Sequence, residues 1–254
     1  MAASEDKRAG IGKVHIGTMG WSYPFWIGDF YPVGLKPAAF LTEYAKHFDS
    51  VELDNTFYRI PSANATDAWK EQTPDGFLFS AKFPRVITHV KMLRDCRREV
   101  DMFISRMAQL QNKLGPLLLQ FPSSFAPKHF SLLQEFLPTL PKGLRYAVEA
   151  RNKGLLTEKL HNLLRENGIA LVLVGQPVLE EQLTADFVYV RWQGDRTKVN
   201  GTLGKAEVDR AEDTEEWATQ IRNILNRKEI FGYFSKYYSG YPPQDAKQLL
   251  NLLQ

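Results

Sequence analysis

The chain repeats one pattern along most of its length: a short apolar run, then a stretch in which apolar residues recur at helical spacing. The apolar runs lie at residues 14–18, 51–54, 77–82, 117–121, 144–150, 169–174, 187–192 and 230–234. Short, continuous apolar runs are typical of strands buried on both faces, and strands that alternate with helices form parallel sheets. Eight such repeats in about 250 residues predict an α/β fold, a single (β/α)8 TIM barrel.

The domain organisation follows from the same pattern. Residues 1–13 are small, polar and charged, and we expect a flexible N-terminal tail there, with residues 14–254 forming the barrel domain. A doubly wound open sheet is the alternative, but that fold usually has a glycine-rich phosphate turn after its first strand. Residues 17–21 lack this fingerprint. The pair Gly115–Pro116 predicts the end of the helix that carries Val100 and Leu110.

Composition excludes several classes of protein. The 32 Lys and Arg residues are interleaved with 29 Asp and Glu residues, giving a net charge of +3 and no long basic tract, so nucleic acid is a disfavoured partner. The single cysteine, Cys96, rules out an intrachain disulfide and a thiolate metal site. No apolar run reaches the roughly 18 residues that span a bilayer, and the N-terminus does not resemble a signal peptide. We therefore expect a cytoplasmic protein without a membrane partner.

Charged residues stand at the ends of four of the apolar runs. Burying a charge costs free energy unless the charge is paired or used, so four such strand ends indicate one shared polar pocket. The residues are Glu52 and Asp54, Lys82, Glu149 and Arg151, and Arg191.

The alternation of side chains along a strand predicts where these charges point. Residues two apart share a face, which pairs Glu149 with Arg151 and Tyr189 with Arg191. Because the outer face of a barrel packs on helices, the polar set must point inward, at the carboxyl ends of the strands where barrel enzymes carry their active sites. A charge-paired plug that only closes the barrel is the alternative. An apolar plug would be at least as stable as buried ion pairs, which favours a functional site.

The residue types predict an acid/base enzyme, of the hydrolase, lyase or isomerase class, that acts on a small polar or anionic ligand. A buried glutamate can act as general acid or base, and arginine or lysine can hold a phosphate, a carboxylate or a sugar derivative. The predicted catalytic residues are Glu52, Lys82 and Glu149. The predicted ligand-binding residues are Trp21, Asp54, Asn55, Tyr58, His89, Gln120, Arg151 and Arg191.

Three further hypotheses stay open at this point. Lys82 could form a Schiff base, which ranks low because the nearby acids favour its protonated form. The aromatic and cationic residues could make a non-catalytic or nuclease-like nucleic-acid-binding barrel. Glu52, Asp54, Glu149 and His89 could hold Mg²⁺ or Mn²⁺, although the three interspersed cations disfavour a metal. We predict no metal ligand, and the sequence requires no cofactor.

Several segments resemble one known family. The resemblance is carried by residues 17–23, 30–32, 48–61, 81–82, 87–91, 115–122, 144–151 and 186–191. These segments are similar to the YecE-like family, a domain-of-unknown-function group of TIM-barrel proteins. The resemblance spans nearly the whole chain after the tail and implies a TIM barrel without implying a reaction.

The chain departs from that family's pattern at three places. The family usually has His-Gly after the seventh strand, where this chain has Gln193–Gly194. It usually has Asn-Asn-Asp after the eighth strand, where Ser235, Lys236 and Tyr237 stand instead. The acidic residue expected after the sixth strand is replaced by residues 175–177. Any chemistry carried by these positions is predicted to be lost or altered.

Overall fold

The computed structural model describes residues 13–175, 182–225 and 228–254. Residues 1–12 of the expected tail lie outside the described residues, as do residues 176 and 177. Eight parallel strands alternate with seven α-helices in the described part of the chain. The strands are β1 (Val14–Thr18), β2 (Ser50–Leu53), β3 (Leu78–Lys82), β4 (Leu114–Phe121), β5 (Tyr146–Ala150), β6 (Ala170–Val174), β7 (Phe187–Trp192) and β8 (Glu229–Phe234). The helices are α1 (Phe40–Tyr44), α2 (Ala63–Glu71), α3 (Arg97–Ala108), α4 (Phe130–Phe136), α5 (Glu158–Glu166), α6 (Ala211–Leu225) and α7 (Pro242–Leu253).

The strands follow one another around a nearly closed barrel, which confirms the predicted fold. Each strand pairs with the next along the chain from β2 to β8, and β8 pairs with β1. The gap between β1 and β2 is bridged by Met19 and Glu52, with a hydrogen bond of 2.9 Å from the Gly20 nitrogen to the Glu52 carbonyl oxygen. A Cβ atom on Gly17 would lie 2.1 Å from the Ser50 carbonyl oxygen, so only glycine allows β1 to approach β2 this closely.

The predicted helix end at Gly115–Pro116 is wrong, because both residues lie inside β4. The helix ends earlier, at Ala108. Phe79 of β3 is opposite Leu114 and Ala81 is opposite Leu117, so β4 has one extra residue between these pairs and forms a bulge there. Glycine and proline suit a bulge, since proline has no N–H to offer the ladder.

Two layers of apolar side chains hold the barrel. The outer layer packs the strands against the helices, and the inner layer fills the barrel with Met19, Leu118, Ala147, Ala170, Val172, Phe187, Tyr189, Phe231 and Tyr233. The Tyr233 hydroxyl lies 2.5 Å from Ser50 Oγ and 2.8 Å from Ser80 Oγ, so the small side chains of β2 and β3 make room for it. The barrel is therefore packed through its centre, which leaves its two ends for polar groups.

Every helix in residues 13–175, 182–225 and 228–254 is too short or too polar to cross a lipid bilayer. Cys96 is a buried, free thiol at the start of α3.

Candidate functional site

Arg191 lies at the centre of the carboxyl end of the barrel and holds two glutamates. Its Nε donates to Glu52 Oε2 at 3.0 Å, and its Nη2 donates to Glu52 Oε1 at 2.7 Å. Its Nη1 donates to Glu149 Oε2 at 2.5 Å. Side chains from β2, β5 and β7 therefore meet at one guanidinium, and the two-pronged contact with Glu52 uses the planar geometry that only arginine has. Arg191 is 2% exposed, so this assembly forms the floor of the mouth.

The two glutamates differ in electrostatic environment. Complete burial raises the pKa of Glu52 above its ordinary value, against the attraction of Arg191. Burial also acts on Glu149, yet Arg191, Gln120 and Arg151 outweigh it and hold the pKa of Glu149 below its ordinary value. Two carboxylates whose pKa values are pushed apart are typical of acid and base pairs, and they also suit a purely structural anchor.

Each glutamate is held by further donors. Tyr189 donates its hydroxyl to Glu52 Oε2 at 2.7 Å, and burial together with Glu52 raises the pKa of Tyr189, so the phenol keeps its proton. Gln120 Nε2 donates to Glu149 Oε1 at 2.7 Å. Arg151 Nε donates to the same oxygen at 3.3 Å. The hydrogen-bonding capacity of both carboxylates is thus largely used within the protein.

Lys82 differs from every other charged group on this floor. Its side chain is 9% exposed, and its ammonium Nζ makes no hydrogen bond with any described residue. The nearest carboxylate oxygen is Asp54 Oδ1 at 3.7 Å, and the Phe57 ring lies beneath Nζ at 4.0 Å from its centroid. Burial lowers the pKa of Lys82, assisted by Arg191 and opposed by Asp54.

Asp54 completes the inner site. It stands one residue after β2, where the chain enters a 3₁₀ turn, and its side chain is 43% exposed. Its Oδ1 atom is buried and has no hydrogen-bond donor, although Arg191 Nη2 lies 3.6 Å away and Lys82 Nζ 3.7 Å away. A buried acceptor without a hydrogen bond is uncommon in a folded protein, and the two neighbouring cations offset the cost of burying this oxygen.

The rim of the mouth contains Arg151 and His89. The Arg151 side chain is 43% exposed, and its terminal nitrogens bond no described residue. His89 lies in a π-helical turn (Val86–Val90), 4.8 Å from the Phe57 ring centroid, and has Nδ1 2.9 Å from Thr88 Oγ1. Burial, together with Lys82, Arg151 and Arg85, lowers the pKa of His89 to about 4. His89 is therefore a neutral imidazole at neutral pH.

Three of the predicted ligand-binding residues lie apart from this network. The Trp21 ring packs edge-on against Trp69 and Phe79 of the outer layer, at centroid distances of 5.9 and 6.5 Å. Asn55 is exposed at the start of the 3₁₀ turn. Tyr58 is 83% exposed and contacts the Phe57 ring edge-on. Their proposed contacts with a ligand stay predictions.

The structure adds residues that the sequence did not single out. Met19 Sδ lies 3.3 Å from Arg191 Nη2, and Phe57 supports Lys82. Thr56 Oγ1 lies 2.6 Å from the Lys82 carbonyl oxygen and ties the turn after β2 to the end of β3. Tyr189 had a signal, because it stands two residues before Arg191 and so shares its face. Nothing in the sequence distinguishes Met19 or Phe57 from packing residues.

No group of three or more His, Cys, Asp or Glu side chains comes together as a metal-binding cluster in the described part of the chain. His89 faces Phe57 and Thr88, and Glu52 and Glu149 face Arg191.

Two of the three places that depart from the family pattern, Gln193–Gly194 and residues 235–237, form a tight junction at the other side of the mouth. The Ser235 nitrogen donates to the Trp192 carbonyl oxygen at 2.9 Å, which joins the ends of β7 and β8. A Cβ atom on Gly194 would lie 1.8 Å from the Tyr237 carbonyl oxygen. The Tyr237 ring is flanked by Arg196 at 4.8 Å and Lys236 at 5.1 Å. Backbone contact and an aromatic–cation cluster occupy this side.

The protein is a parallel (β/α)8 barrel. A buried cluster of paired charges lies at the carboxyl ends of its strands. Residues 15–254 match the family described as "Protein of unknown function DUF72", and the chain belongs to that family. "UPF0759 protein YecE" of Escherichia coli is 36% identical over 171 residues, covering 65% of this chain and 60% of that protein. "UPF0759 protein YunF" of Bacillus subtilis is 24% identical over 272 residues, covering 94% of each. The chain thus matches about three fifths of the length of the E. coli relative.

Solved structures of this family have the same fold. A DUF72 family protein from Thermotoga maritima has a TM-score of 0.79 and 28% identity, covering 95% of this chain and 99% of that one. A DUF72 family protein from Enterococcus faecalis has a TM-score of 0.74 and 20% identity, covering 94% and 95%. The resemblance to the YecE-like family is confirmed, and it supplies no reaction.

Proposed function

We propose that the mouth of the barrel binds a small anionic molecule, a carboxylate or phosphate, between Lys82 and Arg151. The observation that carries the proposal is the Lys82 ammonium, whose side chain is 9% exposed and whose closest carboxylate oxygen among the described residues, Asp54 Oδ1, lies beyond hydrogen-bond distance at 3.7 Å. A buried cation that lacks hydrogen bonds costs free energy, and an anion from solution would supply the missing acceptors.

Arg151 supplies the second anchor. Its Nε is engaged by Glu149, while its terminal nitrogens are available at the half-open rim. His89 and Lys82 both contact the Phe57 ring, at 4.8 Å and 4.0 Å from its centroid, and the charges of Lys82 and Arg151 add to the burial that lowers the pKa of His89. A carboxylate or phosphate there would accept from both cations and from the neutral imidazole when its N–H points inward.

The floor of the mouth, formed by Arg191, Glu52 and Glu149, positions the groups above it and does not contact the ligand in this proposal. Arg191 is saturated by Glu52 and Glu149, so we assign it to positioning. Asp54 has a side chain that is 43% exposed, and its outward carboxylate oxygen would accept a proton or hydroxyl hydrogen from the ligand. Glu149, with its lowered pKa, would act as a base only after Arg151 moves towards the ligand.

The charges of the mouth argue against a nucleic-acid ligand. Three carboxylates (Glu52, Asp54, Glu149) are interleaved with three cations (Lys82, Arg151, Arg191), so their formal charges cancel. A phosphate backbone requires a basic track, whereas one small anion requires only two free donors.

The test is anion binding measured by isothermal titration calorimetry, with phosphate, sulfate and D- and L-lactate as probes. Lys82→Met and Arg151→Met should each weaken binding by about tenfold or more, because each removes a charge-assisted hydrogen bond. Lys36→Met is the matched control, because Lys36 is exposed before α1 and far along the chain from the mouth. Equal affinities for the wild type and both mouth variants would refute the proposal.

A further inference from the structure

We infer that Lys82 is a nucleophilic amine that forms an imine with the carbonyl group of a small oxo acid. The inference rests on the proposed anion site and narrows its ligand to molecules that carry an aldehyde or ketone beside a carboxylate. It reverses the low rank that the sequence alone assigns to a Schiff base at this position.

The first requirement is an amine that can lose its proton. Lys82 has no hydrogen bond to any described residue, and its Nζ rests on the apolar face of Phe57. The contact with the Phe57 ring is a cation–π interaction that favours the ammonium, but burial outweighs it and lowers the pKa of Lys82. Desolvation of this kind is one of the ways in which proteins activate a lysine nucleophile.

A second buried lysine shows that burial alone does not create this state. Lys113 is 5% exposed, similar to the 7% of Lys82. Its Nζ donates to the carbonyl oxygens of Lys70 at 2.7 Å and Thr73 at 2.6 Å, and lies 3.2 Å from Thr73 Oγ1. The protein thus supplies Lys113 Nζ with three acceptors, whereas it supplies none within hydrogen-bond distance to Lys82 Nζ.

The second requirement is a group that moves protons beside the amine. Asp54 Oδ1 lies 3.7 Å from Lys82 Nζ and 3.6 Å from Arg191 Nη2, and it accepts no hydrogen bond from any described residue. It takes one proton from the ammonium, which frees the lone pair of Nζ to attack the carbonyl carbon. The C–N bond forms as the C=O π bond breaks, and the alkoxide takes a proton from the attacking nitrogen to give a neutral carbinolamine.

The carbinolamine then loses its hydroxyl group as water, with a proton returned through Asp54. The overall change converts an ammonium and a carbonyl into a protonated imine and water, so the step needs no oxidant or reductant. The new iminium cation replaces the ammonium beside Asp54, so the positive charge at this position is kept.

The third requirement is an anchor that presents the carbonyl. Arg151 has free terminal nitrogens at the rim, where they can bind a carboxylate in a fork. A carboxylate held there, with its adjacent carbonyl directed towards Lys82, describes a 2-oxo acid. Neither Glu52 nor Glu149 needs to leave Arg191 for this arrangement.

The experiment traps the imine. The full chain is incubated with pyruvate and sodium borohydride, and the products are located by intact mass and peptide mapping. We expect one reduced adduct per chain, on Lys82, and none on that peptide in Lys82→Arg, which keeps the cation and removes the amine. The exposed-lysine control, Lys36→Arg, should be labelled like the wild type. Asp54→Asn should slow trapping by about tenfold or more, because proton transfer is lost.

The outcomes separate this inference from the anion site. If pyruvate is not trapped on Lys82 in the wild type, or appears only on exposed lysines, the imine is refuted. Lactate has no ketone or aldehyde that could form an imine. A weaker affinity of Lys82→Met for lactate therefore tests the anion site alone. Suppose that Lys82→Arg still binds lactate and that the wild type gives no trapped adduct. This result would support the anion site and refute the role of Lys82 as a nucleophile.

Discussion

Two lysines, Lys82 and Lys113, are buried to nearly the same extent but differ in their hydrogen bonding. Lys113 follows α3 and donates to carbonyl oxygens near the end of α2, where a helix leaves acceptors unpaired. Lys82 ends β3 with no hydrogen bond to a described residue. The ammonium of the structural lysine, Lys113, is hydrogen-bonded to the protein, whereas the ammonium of Lys82 at the mouth has unused N–H donors. Burial of a charge is therefore weak evidence of function, and the count of its partners is stronger evidence.

Arg191 belongs with Lys113 in this comparison, although it lies in the mouth. Both are cations whose donors are used by the protein, and Arg191 reaches two carboxylates with three nitrogens. The candidate site thus has a structural floor and an open upper part, and the two should respond differently to substitution.

The largest effect is expected for Arg191→Met. The change leaves Glu52 and Glu149 buried without their shared cation, which should cost about 3–5 kcal/mol of the free energy of unfolding. Urea denaturation followed by circular dichroism measures this loss. The uncompensated carboxylates would have raised pKa values in the folded state, so the stability they cost is recovered as pH falls and they become protonated.

The pH dependence provides the control for that variant. Arg191→Met should be less destabilised relative to the wild type in mildly acidic buffer than in mildly alkaline buffer. A loss below about 1 kcal/mol, the level of an exposed ion pair, would contradict the saturated floor.

Lys113→Met should produce the next largest effect. It removes an ammonium that serves the carbonyl oxygens of Lys70 and Thr73 and leaves both without that donor. The expected loss is about 2–3 kcal/mol in the free energy of unfolding, the cost of buried acceptors that lose a charged partner. Anion binding at the mouth should be unchanged, and a loss of binding without unfolding would show that the two lysines are not independent.

Lys82→Met should leave stability unchanged or raise it by up to about 1 kcal/mol, since groups kept for function often cost stability. The substitution removes a poorly solvated ammonium, and Asp54 stays accessible to water because its side chain is 43% exposed. The same denaturation experiment compares it with Lys113→Met. If both variants lose the same free energy, the distinction between a saturated and an open lysine fails.

The sequence predicted the fold and the gathering of charges more fully than their pairing. The alternation of strands and helices is a long-range pattern, and the inward parity of Glu52, Glu149 and Arg191 follows from strand geometry alone. Glu52 pairs with Arg191 across the barrel and not with Lys82 on the neighbouring strand. Which cation reaches which carboxylate depends on side-chain length and on the stagger between strands, which a single sequence does not state.

The bulge at Gly115–Pro116 was missed for a related reason. Glycine followed by proline predicts a helix end on local grounds, while its place in β4 is set by the neighbouring strand β3. Phe57 was missed because its contribution is a contact with Lys82, and an aromatic residue in a loop gives no sign of its partner.

The smallest expected effect is a change in the pKa of His89. This pKa reports most directly on the upper part of the site, where Lys82 and Arg151 lie. Its pKa of about 4 lies below the ordinary 6.5 because of burial, with Lys82, Arg151 and Arg85 adding to the effect. The folded chain therefore binds fewer protons here than the unfolded chain, and this group's contribution to stability is lost as pH falls through that window. Imidazole resonances in a two-dimensional NMR titration measure the value in the folded protein.

Substitution of the neighbours sharpens that titration into a test of the site. Lys82→Met and Arg151→Met should each raise the pKa of His89, because each removes a like charge, whereas Lys36→Met should leave it unchanged. Bound phosphate should raise it as well, since an anion between the cations cancels their effect on the imidazole. The proposal fails for His89 if its pKa has the ordinary value, or if that pKa is unchanged by phosphate and by both substitutions. His89 would then not belong to the anion site with Lys82 and Arg151.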